Sequence, residues 1–333
     1  MKRKADFMSY AENTKYLPEG RIMRSAENRA SISSLSGLER AMRTGAICEA
    51  PAVMCDSRDY SLRVDLGCAV GLIERGEAAL TGAGEEIREV AVVTRVGRPV
   101  CFCVRDIDIS TNPPTAILSR RDAQRKCFHN YLSGLIPGDI IPATVTHIER
   151  FGAFLDIGCG IVSLLPVDAI LVSRISHPSE RLSVGTRTYV VISGIDAKNG
   201  RFNVSQRELF GTWEENAALF AVGQTVSGIV RSIEDYGIFV ELTPNLTGLS
   251  DPKSGVGVGE TAAVYIKSIT PERMKIKLAL VGAYRGELLR DLSPPTYFID
   301  PERTLHIDRW RYSPDGCRRV VESVFTAASS SAD

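Results

Sequence analysis

The chain has 333 residues, 44% of them hydrophobic, and its 40 Lys and Arg balance its 40 Asp and Glu. That length holds two to four domains of ordinary size, and no apolar run reaches the length that spans a bilayer. Zero net charge excludes the overall basic excess common among nucleic-acid binders, so any such binding has to come from local patches.

Residues 1–44 open with "MKRKADFMSY", which is basic but is not followed by an apolar block of signal-peptide length. Within them "SSLSGLERAMRTG" reads as a short helix and the rest as a flexible basic arm. The eight cysteines are scattered without metal-site or disulfide-framework spacing, so a reducing cytoplasm is the expected compartment.

The next segments repeat. "GDIIPATVTHIERFGAFLDI" from Gly138 lies over "GQTVSGIVRSIEDYGIFVEL" from Gly223 without a gap, pairing Val145 with Val230, Ile148 with Ile233, Gly152 with Gly237 and Phe154 with Phe239. A worn copy precedes them: "VDLGCAVGLIERGEAAL" from Val64 lies over "LDIGCGIVSLLPVDAIL" from Leu155. There Tyr60 stands for Phe151, but Ser61 replaces the glycine and Arg63 the second aromatic. The three units span 45–124, 134–210 and 222–281. Each reads as short strands rich in Val, Ile and Thr separated by Gly, Pro and Asp turns, which predicts a small closed five-stranded barrel of OB type. An all-β chain of three tandem OB-fold barrels is expected.

Between the barrels, "RDAQRKCFHNYLSGLIPGD" and "RELFGTWEENAALFAVGQ" read as helical turns, with Thr212 and Glu215 forming a capping box and Trp213 serving as packing. In the C-terminal extension, residues 282–333, "HIDRWRY" alternates like a strand and Ser313 or Asp315 starts a short closing helix. Trp310 and Tyr312 are expected to pack on the third barrel, and the final "AASSSAD" to be disordered.

The order "G-x-x-(V/I)-x-(A/G)-x-V-x-x-I-E-x-(F/Y)-G-x-F-(V/L)", followed by "D-(A/P)-x-x-G-R-x-x-x-S", resembles the RNA-binding repeat of bacterial small-subunit ribosomal protein S-one, a repeat also found in exoribonucleases and transcription factors. "GTWEENAALFAVGQ" is similar to that family's inter-repeat linkers. The resemblance covers roughly 45–280, strongly in the second and third units and weakly in the first. It implies single-stranded RNA, chiefly mRNA in translation, as partner, and docking of the degenerate first repeat on the small ribosomal subunit. The sequence departs from the family where a His often follows the "G-L" step: Glu74, Pro166 and Asp251 stand there, and Thr270 replaces the hairpin aspartate kept as Asp196.

Aromatics three apart put one ring in the core and one in solvent, unless Gly152 or Gly237 permits a bulge or a tight strand entry that turns both outward. Two outward rings make a stacking platform for bases. The candidate RNA-binding residues are therefore Phe151, Phe154, Tyr236 and Phe239, with Arg150, Asp196, Lys198, Arg201, Arg231 and Lys275 beside them to shape the hairpin and meet phosphate. Glu74, Glu77, Glu85 and Glu86 make the first unit unfriendly to phosphate. The four histidines lie in separate segments, and no phosphate loop, dinucleotide motif or two-metal carboxylate set is present, so neither an enzyme nor a cofactor is expected. A protein-docking scaffold and a regulator of RNA turnover or transcription, built from the same barrels, are the alternatives.

Overall fold

The computed structural model describes residues 16–82, 85–196, 199–284 and 297–325. It contains three closed five-stranded barrels. The first is built from β1 (Cys48–Cys55), β2 (Leu62–Asp65), β3 (Val70–Ile73), β4 (Pro99–Asp108) and β5 (Thr115–Ser119). The second uses β6 (Ile140–Glu149), β7 (Gly152–Asp156), β8 (Val162–Pro166), β9 (Arg187–Asp196) and β10 (Arg201–Ser205). The third uses β11 (Thr225–Glu234), β12 (Gly237–Thr243), β13 (Leu246–Ser250), β14 (Thr261–Thr270) and β15 (Lys275–Tyr284). In each, the third and fifth strands run parallel and close the barrel: β3 with β5, β8 with β10, β13 with β15. The third barrel thus runs slightly beyond residue 281.

Alternation builds the cores. In the third barrel Ile238, Val240, Val264, Ile266, Ile276 and Leu278 are all buried, while their strand neighbours point outward. Leu62, Val64, Phe102 and Leu118 do the same in the first barrel, capped by Leu38 and Ala41 from the helix Leu35–Thr44. Among the described residues no helix is long and apolar enough to cross a membrane.

The chain divides into two compact units: the first holds 1–135 with 142–144 and 156–162, the second 136–141, 145–155 and 163–333. In the first, the expected flexible arm is replaced by structure from residue 16 onward. Helix Ala26–Ile32 starts at Ser25, whose hydroxyl accepts from the Asn28 N–H. Before it, Glu19 and Arg120 form a buried two-pronged ion pair, Nε to Oε1 at 2.7 Å and Nη2 to Oε2 at 3.0 Å. Glu19 also accepts from the Cys101 N–H at 3.0 Å, and its own N–H donates to Asp156 at 2.8 Å. Glu49, likewise buried, accepts from Gly20 N and Met23 N. Burial pushes the Glu19 carboxyl up, but Arg120 and the Cys101 N–H outweigh it and hold the group below its ordinary value. Burial and the charge of Glu19 push Glu49 up to about 8 and Asp156 up to about 7. Residues 1–15 lie outside the described residues.

The linkers follow expectation. Helix Arg120–Asn130 precedes β6, and Thr212 and Glu215 form the capping box of helix Trp213–Ala217. Trp213 is buried in the third core together with Trp310 and Tyr312. One expectation fails: no helix begins at Ser313 or Asp315. The Ser313 hydroxyl instead donates to the Arg319 carbonyl and accepts from the Val321 N–H, both at 2.8 Å. That turns the chain back, so β16 (Arg309–Arg311) pairs antiparallel with β17 (Glu322–Val324). The final "AASSSAD" lies outside the described residues.

Candidate nucleic-acid interface

In the second barrel β6 ends at Glu149 and β7 begins at Gly152, so Arg150 and Phe151 form the two-residue turn between them. Phe151 is therefore freed from strand alternation and is 56% exposed. Phe154 lies within β7 between Ala153 and Leu155, which are both fully buried, and period two sends its ring outward. The two rings meet edge to face, with centroids 6.1 Å apart and planes at 89°. His147 on β6 stacks on Phe154 at 6.1 Å and 28°, and its Nε2 shares a hydrogen bond of 2.8 Å with Glu149.

The third barrel repeats this geometry. Asp235 and Tyr236 form the turn, Phe239 projects between buried Ile238 and Val240, and the rings lie 6.1 Å apart at 88°. Both rings face outward through a tight strand entry at the glycine, the first residue of β7 and of β12, and not through a bulge there. A Cβ on Gly152 would stand 2.4 Å from the Leu165 carbonyl oxygen, and one on Gly237 2.5 Å from that of Ser250. The glycine is there because the next strand passes too close for a side chain. The bulge lies on the opposite strand, at Arg231, between the pairs of Val230 and Ser232.

Cations arrange themselves by register. Across the third barrel's outer face Ser232, Phe239, Leu249 and Lys277 follow one another on adjacent strands. Lys277, rather than the singled-out Lys275, falls in the row of Phe239; Lys275 sits two residues away on the same face. In the second barrel Asn203 pairs with Leu164 and so takes the place of Lys277, with exposed Arg201 in that of Lys275. Arg201 pairs with Asp196, which accepts from the Asn199 N–H at 3.2 Å and from its side-chain amide at 2.6 Å, shaping the hairpin tip. Lys198 lies outside the described residues. Arg150 is exposed in the turn beside Phe151.

Arg231 is differently engaged from expectation. Its guanidinium donates to Glu241 at 2.7 Å and to Glu180 at 2.6 Å, and Arg181 also donates to Glu241. With its side chain 12% exposed, Arg231 belongs to an ion-pair cluster rather than to a phosphate-facing surface. His147, Asn203 and the register of Lys277 were the features that sequence spacing missed. Only a strand-by-strand alignment of the closing parallel pair finds the last two.

The first barrel keeps the frame without the platform. Its equivalent row is Met54, Arg63, Leu72 and Ile117. Tyr60, held at φ 56°, has the Arg75 guanidinium over its ring at 5.3 Å.

The family model "S1 RNA binding domain" matches residues 135–207. Residues 135–207 of the chain carry an S1 domain. The matched S1 domain is the second barrel, the S-one repeat under its usual symbol, and the third barrel repeats it. "Small ribosomal subunit protein bS1" of Rhizobium meliloti (strain 1021) is 30% identical over 65% of this chain and 40% of its own length. The protein of the same name from Mycobacterium leprae (strain TN) is 30% identical over 57% of this chain and 43% of its own length. The chain spans less than half the length of these curated relatives. Among solved structures, a multidomain protein with nucleic acid binding domains from Streptococcus pneumoniae aligns over 72% of this chain and 74% of its own, at 14% identity and a TM-score of 0.24.

Proposed function

We propose that this protein binds single-stranded RNA on the outward aromatic faces of its second and third barrels, and that it does so on mRNA in translation. The observation that carries the proposal is the outward Phe151–Phe154 pair, edge to face and backed by His147, inside the segment matched to an RNA-binding family. Exposed rings on a rigid strand and turn accept bases by stacking without demanding a sequence, and each stacked base contributes about 1–3 kcal/mol. Arg150, Arg201, Lys275 and Lys277 line the same faces, so phosphate neutralisation adds a salt-sensitive share. The role is binding, not catalysis.

The similarity to bS1 proteins supports action at the small ribosomal subunit in the cytoplasm. The first barrel, without an aromatic pair or a lysine in its row, is the one proposed to dock on protein.

Fluorescence anisotropy of a labelled unstructured RNA tests the site. Phe151→Ala with Phe154→Ala weakens binding by more than about tenfold, at stacking's energy scale. Binding by the wild type that this double change leaves intact overturns the assignment of the site. Cosedimentation with small subunits tests the setting, and a chain absent from them but bound to RNA belongs to RNA turnover or transcription instead.

A further inference from the structure

The cluster that holds Arg231 lies where the second barrel's long loop meets the third barrel. Ile238 and Val240 are in the core, so Phe239 and Glu241 share the outward face of β12, two residues apart. Glu241 is nonetheless only 4% exposed. What covers it is the loop between β8 and β9, through Arg181, with Arg231 of β11 donating to Glu241 at 2.7 Å and to Glu180 at 2.6 Å. Glu180 is itself fixed, since its other oxygen accepts from the N–H groups of Ser176 at 2.8 Å and His177 at 3.1 Å. Two neutral contacts add to the join: Asn245 accepts from the Val172 N–H at 3.0 Å, and Thr247 shares a hydroxyl bond of 3.0 Å with Ser173.

We infer that Glu180, Arg181, Arg231 and Glu241 are positioning residues that lock the second and third barrels together, so that their two aromatic faces bind one RNA strand as a single unit. The inference rests on the RNA-binding proposal and adds to it a length requirement. A strand long enough to reach both platforms makes its second contact intramolecularly, and the effective concentration for that contact is highest when the span is fixed. A strand that fills one platform gains nothing from the lock. The cluster is neutral in sum, two carboxylates against two guanidiniums bonded to them, so its contribution to RNA binding is geometric.

The test compares labelled oligouridylates of about 8 nucleotides, within what one OB-type barrel covers, and about 24 nucleotides, long enough for two. The full chain is measured by anisotropy as wild type, Arg181→Glu, Arg181→Lys and the milder Glu241→Gln. Wild type binds the long strand more tightly by on the order of a hundredfold. Arg181→Glu, which sets a second carboxylate against Glu241, lowers that ratio by at least about tenfold while leaving the short-strand Kd within about twofold. Arg181→Lys retains most of the ratio, and Glu241→Gln falls between. A ratio unchanged in both Arg181→Glu and Glu241→Gln overturns the inference, as does equal loss for both strands, which marks a merely structural cluster. Absence of RNA binding by the wild type instead overturns the functional proposal itself.

Discussion

Glu19→Ala removes one half of a buried ion pair whose other half cannot leave. The Arg120 side chain is 4% exposed and that of Glu19 7%. Once the carboxylate is gone, the Arg120 guanidinium keeps the Ala78 carbonyl at 3.0 Å and the Gly160 carbonyl at 3.4 Å, neither of which carries charge. The Cys101 N–H loses its acceptor at the same time. An uncompensated buried charge costs about 3–5 kcal/mol. In a unit of about 150 residues each kcal/mol moves the transition by about 2–4 °C, so the first unit should melt about 6–20 °C lower. Differential scanning calorimetry of the full chain near neutral pH reads this directly, and the RNA binding proposed for Phe151 and Phe154 offers an independent check that the remainder is folded. Glu19→Gln, which keeps an acceptor at the same place, should lose less than Glu19→Ala. A transition within about 2 °C of wild type for Glu19→Ala would refute the idea that the pair anchors residues 16–23.

Glu49 and Asp156 have folded values raised to about 8 and about 7, against roughly 4 when unfolded. Their stabilising share is complete below the unfolded value and disappears as pH rises through the folded ones, so urea midpoints of the first unit should decline between about pH 5 and pH 8. Asp156→Asn should flatten that decline. Gly152→Ala forces a Cβ to within 2.4 Å of the Leu165 carbonyl oxygen and should destabilise the second barrel by about 1–3 kcal/mol in chemical denaturation. Trp213→Ala empties a site in the third core and should cost about 3–5 kcal/mol in the same measurement. Lys277→Ala should weaken RNA binding at the third barrel and reduce the slope of log affinity against log salt by about 1, whereas Lys267→Ala, at a lysine already bonded to Asp251 at 2.8 Å, should change it less.

The barrels were legible because their signals are local and redundant: alternation, turn glycines and a gapless repeat all agree on where strands begin and end. The aromatic pairs were legible for the same reason. Of the two routes by which the glycine could turn both rings outward, the structure takes the tight strand entry, with Phe151 and Tyr236 in the turn before the strand, and not the bulge. Arg231 was misplaced because its partners, Glu180 and Glu241, lie 51 and 10 residues away and only the folded chain brings them to it. The N-terminal segment was hidden for a like reason. Glu19 finds Arg120 across 101 residues, a distance over which composition and periodicity say nothing.

The turn that carries Phe151 separates two jobs that a barrel usually mixes. Ala153 and Leu155 point inward and Gly152 clears the neighbouring strand, while Phe151 and Phe154 project from the outer side. The surface chemistry is therefore interchangeable on a fixed frame, as the first barrel shows with Tyr60 and Arg63 in the corresponding places. A protein of this design is a modular instrument: a barrel can be made mute or given a voice by exchanging two outward side chains, with the wall behind them left standing.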